Sequence, residues 1–490
     1  MKLQAAAAHL SVAEREELGA EARTRTEHAL HTGWAPAADR PDPVALIEEQ
    51  NKTRDPDLVP VRHGRMMVSP FTFYRGTAMV MAADLAATPN AGLNVQLCGD
   101  AHLSNFGAYA SPGRQLVFDL NDFDETLPGP FEYDVKRMAA SFTVAARNNR
   151  FSKAQVREAT VASVRAYREA MAEFAASGTM DLWYAKLSED DVRAGIAEVR
   201  KQRAAADANA KKGTRRADSK VVDRAVKVAE GAIAKAHSRT SLQALAKLVE
   251  VVDGKQRIVS QPPVLVPIRE LDEHYAVSPD ELEAAVHRQF AEFRSSLPEV
   301  RRLLIDRFKI VDVARKVVGV GSVGTRAFVV LLEGRDAGDP LFLQVKEATR
   351  SVLESHLPKS RFAQPGERVV QGQQLMQSAS DIFLGWSEGA PDADRYYYWR
   401  QLRDMKGAAV VETMVPFGLN WYAGICGWTL ARAHARSGDA IALATYLGTK
   451  GRFDKAIADF AERYADQNEL DYQEFLAAIH DGRIEAREGI

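Results

Sequence analysis

The sequence predicts a mixed α+β fold in which antiparallel strands carry the chemistry and helices supply most of the mass. Three observations predict it. Between Val95 and Asp134 an apolar run, a β-hairpin and a crowd of polar residues follow one another. Between Lys316 and Lys346, three glycines open a second strand-rich stretch. Most of the remainder shows the apolar spacing of amphipathic helices. At 490 residues the chain exceeds one ordinary core, so two or three lobes are expected.

Composition narrows the function classes. The chain is 46% hydrophobic and 27% charged, as in ordinary globular proteins. Its 64 basic and 66 acidic residues leave a net charge of −2. That gives no overall electrostatic case for binding nucleic acid or an anionic membrane. Two cysteines, Cys98 and Cys426, argue against a disulfide framework and fit a reducing compartment. No leader-like segment and no apolar window of membrane length is present, so a cytoplasmic protein with no membrane partner is expected.

In chain order, residues 1–58 read as a helical arm. Ser11 and Glu14 form a capping-box pattern for a helix running to Leu30, and a second helix covers Pro43 to Gln50. Ser69-Pro70 then starts a buried helix through SPFTFYRGTAMVMAADLA. Arg75 inside that run needs a partner, either a carboxylate or the phosphate of a ligand.

Val95 to Leu97 reads as a strand ending at Gly99. Phe106–Ala110, a turn at Ser111–Arg114, and Gln115–Leu120 read as a hairpin. A hairpin brings its ends together, so Asp100 and Asn105 meet Asp119 or Asp122. Such a cluster is tolerable when it holds a hard cation such as Mg²⁺. Phe131–Arg147, Lys153–Ala176, Asp190–Ala210, Ser219–Ala236 and Pro279–Phe308 read as helices, with KKGTRRADSK as a solvated link. VVDGK marks a hairpin before IVSQPPVLVPI.

Gly319, Gly321 and Gly324 make a GxGxxG, a weak signal alone. A dinucleotide-binding unit opens a helix at the third glycine. Here the apolar, β-branched run from Arg326 to Leu332 predicts a strand, then a polar turn, then the strand LFLQVK ending at Lys346. Lys346 needs a helical Glu to hold it, and two candidates exist: Glu354, and Glu367 on the run ERVVQGQQLMQ. DIFLGW and RYYYWRQL are expected strands, Arg403–Gly407 a connector, 417–437 an apolar helix, and Arg452–Ile490 two helices.

Gly99-Asp100-x-His102-x-x-Asn105, a hairpin, Asp122, and Asp134 twelve residues on together resemble the protein-kinase-like fold, particularly its aminoglycoside and choline phosphotransferase branch. Cys98 stands where that branch has His. The resemblance implies two lobes: an antiparallel sheet with the glycine loop, and a helical lobe with the catalytic loop. It makes Asp100 and His102 the catalytic residues, Asp100 orienting the acceptor hydroxyl. Asn105 and Asp122, with Asp119 as the alternative, would hold Mg²⁺. Gly319, Gly321, Ser322, Gly324, Lys346 and Glu367 would bind ATP, the resemblance favouring Glu367 over Glu354. Arg403–Gly407 would meet the adenine, and Asp134 would brace the catalytic loop.

The order is inverted, since Asp100 precedes Lys346. A circularly permuted fold with a large helical insert is therefore expected. The parts are an arm (1–58), a catalytic-loop part (59–150), helical insert (151–310), glycine-loop lobe (311–407) and closing helices (408–490). The phrases SPFTFYRG, CGDAHLSNFG, FDLNDFDETLPGPFEYD and GVGSVGTR also resemble a bacterial domain-of-unknown-function family from about Asp42 onward. The expected function is ATP- and Mg²⁺-dependent phosphoryl transfer to an unidentified small-molecule or protein hydroxyl. The alternatives are AMP transfer, a regulatory nucleotide-binding pseudokinase, and a metal-dependent hydrolase built from Asp100, His102, Asp122 and Asp124.

Overall fold

Among the described residues every strand pair is antiparallel, which excludes a doubly wound dinucleotide-binding sheet. The computed structural model describes residues 9–209, 215–271, 279–317, 319–389, 394–402 and 405–489. Helix accounts for 54% of the chain and strand for 15%, so the predicted α+β class holds.

The first strands are β1 (Asn94–Leu97), β2 (Phe106–Ala110), β3 (Leu116–Leu120) and β4 (Leu127–Pro130). β1 pairs with β4, which closes the polar stretch into a loop over its own base. β2 and β3 form the expected hairpin, Phe106 opposite Leu120 and Ala110 opposite Leu116. β5 (Leu187–Ser188) extends the β3 edge of this small sheet. β6 (Val249–Val252) and β7 (Lys255–Ile258) are the hairpin of the VVDGK turn.

β8 (Leu265–Pro267), β9 (Lys309–Lys316), β10 (Ala327–Glu333), β11 (Pro340–Ala348), β12 (Gly385–Glu388) and β13 (Tyr396–Gln401) form one sheet, ordered β12-β13-β11-β10-β9-β8. The glycine loop joins β9 to β10, and Lys346 lies opposite Ala327 where that loop ends. β14 (Gly407–Ala408) leaves this sheet and pairs with β2, so the connector after β13 bridges the two sheets. Residues 403–404 of that connector lie outside the described residues.

Two apolar cores support these sheets. One gathers β1–β4 with the helices Glu132–Asn148, Lys153–Ala176, Pro416–Ala435 and Arg452–His480. The other backs the six-stranded sheet, where Phe293 of the helix Pro279–Ser296 stacks on Trp399 with ring centroids 4.6 Å apart.

Several boundaries differ from expectation. The first helix spans Val12–Arg25, with the capping box in place, and a 3₁₀ turn at His28–His31 replaces its last turn. The run after Ser69 breaks at Thr77 into Pro70–Gly76 and Ala78–Ala86, because Thr77 leaves helical geometry. In DIFLGW only Gly385 onward is strand. Asp381 accepts hydrogen bonds from Phe383 N and Gln401 N, which holds 381–384 as a turn. The expected link KKGTRRADSK lies partly outside the described residues, and the backbone is helical from Arg215.

The two expected C-terminal helices are one, Arg452–His480. No Gly or Pro interrupts it, and Phe453, Ile457, Phe460, Tyr464, Tyr472 and Phe475 keep one continuous buried stripe. Phe475 is fully buried against Phe73, ring centroids 5.2 Å apart. Phe475→Ala is expected to lower unfolding stability by about 3–5 kcal/mol, measured by urea denaturation; a loss near zero would mean that this helix end does not pack as described.

Candidate functional site

The stretch of residues 98–105 is held by backbone bonds that its sequence makes possible. Gly99 has φ +84°, and a Cβ there would come within 2.2 Å of the Glu125 carbonyl oxygen, so only glycine fits. Cys98 N and Gly99 N donate to the two Asp134 carboxylate oxygens at 2.7 and 3.0 Å. His434 Nε2 lies 3.2 Å from Asp134, and Tyr167 Oη lies 2.9 Å from His434 Nδ1. Asp134 therefore braces the loop, and the long-range part of the brace comes from the helix Pro416–Ala435.

Asp100 follows this anchor. Its Oδ1 accepts from Arg137 Nε at 2.8 Å, and its Oδ2 lies 3.7 Å from His102 Nε2. His102 Nδ1 accepts from Ser104 N, so the ring's proton sits on Nε2, toward Asp100. Burial pushes the His102 pKa down to about 3 despite Asp100, so the ring is neutral near pH 7. Asn105 Nδ2 donates to the Asp100 carbonyl at 2.7 Å. Asn121 N donates to Asn105 O at 2.8 Å, which joins the two ends of the hairpin.

Lys346 reaches this point from β11. It is 2% exposed, and its Nζ contacts Asp124 and lies 3.7 Å from Asp122. Tyr398 Oη donates to the other Asp124 oxygen at 2.8 Å. Burial works against the lysine charge, yet Asp122 and Asp124 outweigh it and hold the Lys346 pKa above its ordinary value. Burial, and then the neighbouring Asp124, push Asp122 up. Asp122 is thus a carboxylate that gains from a further cation.

Two expected assignments change. Neither Glu367 nor Glu354 pairs with Lys346; Asp124 does, and sequence reasoning gave it only a place in the hydrolase alternative. The reason is helix phase. On the helix Pro365–Met376 the inward residue is Arg368, which donates to the carbonyls of Thr126, Asp124 and Thr349. Glu367 sits in the first turn, its N–H capped by Gln364. Asp119 also lies apart from the cavity. It is fully buried, accepting from Arg432 at 2.6 Å and from Ser378 N and Oγ at 2.8 Å. Between Asp119 and Asp122, the structure leaves Asp122 on the cavity wall.

The glycine loop is clamped from outside its own sheet. Gly319 and Gly324 have φ +68° and +88°. Arg65 Nη1 donates to Gly319 O and Arg54 Nη1 to Val323 O, both at 2.5 Å. Asp55 N donates to Gly324 O at 2.7 Å and its carboxylate pairs with Arg315 at 3.1 Å. A Cβ on Gly321 would meet the Arg75 carbonyl at 2.9 Å. Sequence analysis missed Arg54 and the clamp; the run of arginines 54, 62, 65 and 75 was its only trace.

These parts enclose a cavity of about 570 Å³. Asp100, His102, Asn105, Asp122, Asp124 and Glu125 form one wall and Gly319, Gly321 and Ser322 the other, with Arg54 and Arg75 between them. Among the described residues no three His, Cys, Asp or Glu side chains form a closed metal cage. Asn105 and Asp122 instead offer one amide and one carboxylate. That set fits Mg²⁺, which keeps waters and takes phosphate oxygens for its other ligands. Of the four residues of the hydrolase alternative, Asp100 and Asp124 are paired here with Arg137 and Lys346. Among the described residues no helix is long and apolar enough to cross a membrane.

Glu125 gives a test of this burial. Burial pushes its pKa from 4.5 up to about 7, although Arg368 and the Val352 N–H oppose the shift. Between those values the folded chain keeps a proton that the unfolded chain has released. Stability of the ligand-free protein is therefore expected to fall as pH rises from about 4.5 to about 7 and to level off above. In Glu125→Gln that part of the slope should vanish in urea melts across pH; an unchanged slope would refute the assignment.

The family model described as an uncharacterized protein conserved in bacteria (DUF2252) matches residues 54–478. No curated protein and no solved structure matches the chain.

Proposed function

The chain belongs to that bacterial family, and we propose that it is an ATP- and Mg²⁺-dependent phosphotransferase built as a circularly permuted protein-kinase-like fold. One observation carries the reading. Lys346 and Asp124 are 222 positions apart in the chain, yet their side chains meet, with Asp122 3.7 Å from the same ammonium. The glycine-loop sheet and the acidic hairpin therefore face one cavity, an arrangement that phosphoryl transfer would use.

In this reading the six-stranded sheet is the small lobe, and the hairpin with its helices is the large one. Asn105 and Asp122 would hold Mg²⁺, which neutralises phosphate charge when bound. Lys346, freed in part from Asp124, places the phosphates, and the glycine-loop backbone closes over them. Asp100, fixed by Arg137, orients the acceptor hydroxyl with its free oxygen and takes its proton. His102 stays neutral, its Nε2 3.7 Å from that oxygen. The helix Pro416–Ala435 supports the permutation. Its Tyr422 Oη donates to the carbonyls of Leu103 and Phe106, so a helix from late in the chain seats a loop from early in it.

A second reading, AMP transfer, has its own observation. Past Lys346 the slot between sheet and hairpin is flanked by Arg400, which donates to Asn121 O and Gln344 Oε1 at 3.0 Å. Lys406 lines the adjoining cavity, its pKa pushed down to about 7 by burial and then by Arg400. Two cations suit a phosphate tail better than an apolar base, and a reversed nucleotide would present its α-phosphate to the acceptor.

Purified protein incubated with Mg²⁺ and ATP is expected to form ADP. Asp100→Asn should lower the rate on the order of a hundredfold or more while ATP binding, followed by calorimetry, stays close to wild type. Equal rates in the two proteins would remove Asp100 from the chemistry. Release of pyrophosphate, with label transferred from the α-phosphate, would replace phosphoryl transfer by AMP transfer.

A further inference from the structure

Arg75 lines the cavity without a direct ion pair; Glu412 and then Asp100 favour its charge only from a distance, and burial outweighs them. Its Nε is buried with no hydrogen-bond partner, and among the described residues its guanidinium makes no ion pair. Its ring contact is Phe71, 6.0 Å to the centroid. The carboxylate partner offered by sequence analysis is therefore not realised. A mostly buried guanidinium left unpaired is costly, and a bound anion removes that cost.

Its position says where such an anion would lie. The Arg75 carbonyl packs against Gly321, so the backbone of the helix Pro70–Gly76 touches the glycine loop. Its guanidinium lies in the field of Asp100 and of His102 on the far wall. Arg75 thus spans the gap between the loop and the carboxylate that orients the acceptor. It does not collapse onto Asp100, because Arg137 already holds Asp100 Oδ1. Arg137 is itself locked, stacked 4.0 Å over the Tyr74 ring and donating to the Tyr74 carbonyl. Neighbouring residues of one helix divide the work: Tyr74 fixes Arg137, and Arg75 is left for the ligand.

We propose that Arg75 is a catalytic arginine supplied in cis, binding the equatorial oxygens of the phosphoryl group in flight. The inference rests on the phosphotransferase reading. In the step, the acceptor oxygen forms a bond to the γ-phosphorus. The bond from that phosphorus to the β–γ bridging oxygen breaks, and ADP leaves with the electron pair. The acceptor proton passes to Asp100. Arg75 neither gains nor loses a proton; its planar fork meets two oxygens at once, which a lysine cannot do.

The test uses the full chain, Mg²⁺ and ATP, with water as the acceptor, and reads kcat, KM and the affinity for ADP with aluminium fluoride, a mimic of the phosphoryl group in flight. Arg75→Ala is expected to lose about 10³-fold in kcat with KM for ATP within about threefold. It should also lose the tighter binding of ADP that aluminium fluoride confers on wild type. Added guanidinium ion at millimolar concentration should restore part of the rate. Arg75→Lys keeps the charge and the fold but is expected to lose at least about tenfold in kcat.

An Arg75→Ala kcat within about twofold of wild type overturns the inference and leaves the phosphotransferase reading standing. So does parallel loss of ATP affinity and melting temperature in both variants, which marks a structural role. Wild type that neither binds nor turns over ATP overturns both.

Discussion

The buried contact of Lys346 with Asp124 and Asp122 is the constraint on which the arrangement depends. A buried ion pair is a poor way to gain stability, because desolvation of both charges offsets most of their attraction. Apolar residues of similar volume would hold two sheets together as well. Here the pair is embedded in further polar groups: Tyr398 on Asp124, Arg400 on the Asn121 carbonyl, and Arg368 on three more carbonyls. This seam between sheet and hairpin is polar and densely bonded. A chain that commits so many charges to one seam keeps them for geometry, and the geometry is a carboxylate wall facing a glycine loop.

The same reasoning explains why the glycine loop needs help. A loop with two left-handed glycines does not bond its carbonyls in a strand or helix ladder, although Val320 and Val323 pack beneath it. Its carbonyls are instead held by Arg54 and Arg65 and by the Asp55 N–H. The segment before the acidic hairpin therefore acts as a lintel over the cavity. It ties loop position to hairpin position without passing through the sheet.

The sequence made the strands and the glycine loop legible because they rest on local rules. β-branched residues after the third glycine exclude a helix, and a Pro-Gly turn closes a hairpin wherever it sits. The acidic cluster was legible as a cluster but not in its division of labour. Within FDLNDFDE the side chain of Asp119 goes to Arg432 while Asp122 and Asp124 turn to Lys346, and the end of the β3 ladder divides them. Asp119 lies inside the ladder opposite Gly107 and faces the helix Pro416–Ala435, more than three hundred residues away. Glu367 failed for a similar reason. In ERVVQGQQLMQ it and Arg368 are one residue apart, a turn of about 100°. Which one faces the seam depends on a sheet that the local pattern does not contain. The C-terminal helix differs in another way: two helices were expected, but an uninterrupted apolar stripe keeps Arg452–His480 as one.

The seam also depends on contacts between early and late segments of the chain. Residues 485–487 lie along the helix Val59–Met66: Arg487 N donates to Pro60 O at 2.8 Å, and His63 Nδ1 lies 2.6 Å from Glu485 O. A Cβ on Gly64 would strike the Arg487 carbonyl at 1.9 Å, so the contact admits only glycine there. The helix so pinned also carries Arg65, which holds the glycine loop. Late chain thus buttresses early chain, early chain clamps the loop, and the loop faces the carboxylates across the cavity. These joints are made by hydrogen bonds and packing between segments far apart in sequence, and through them the segments around Pro60 and Glu485 fix where the glycine loop sits over the cavity.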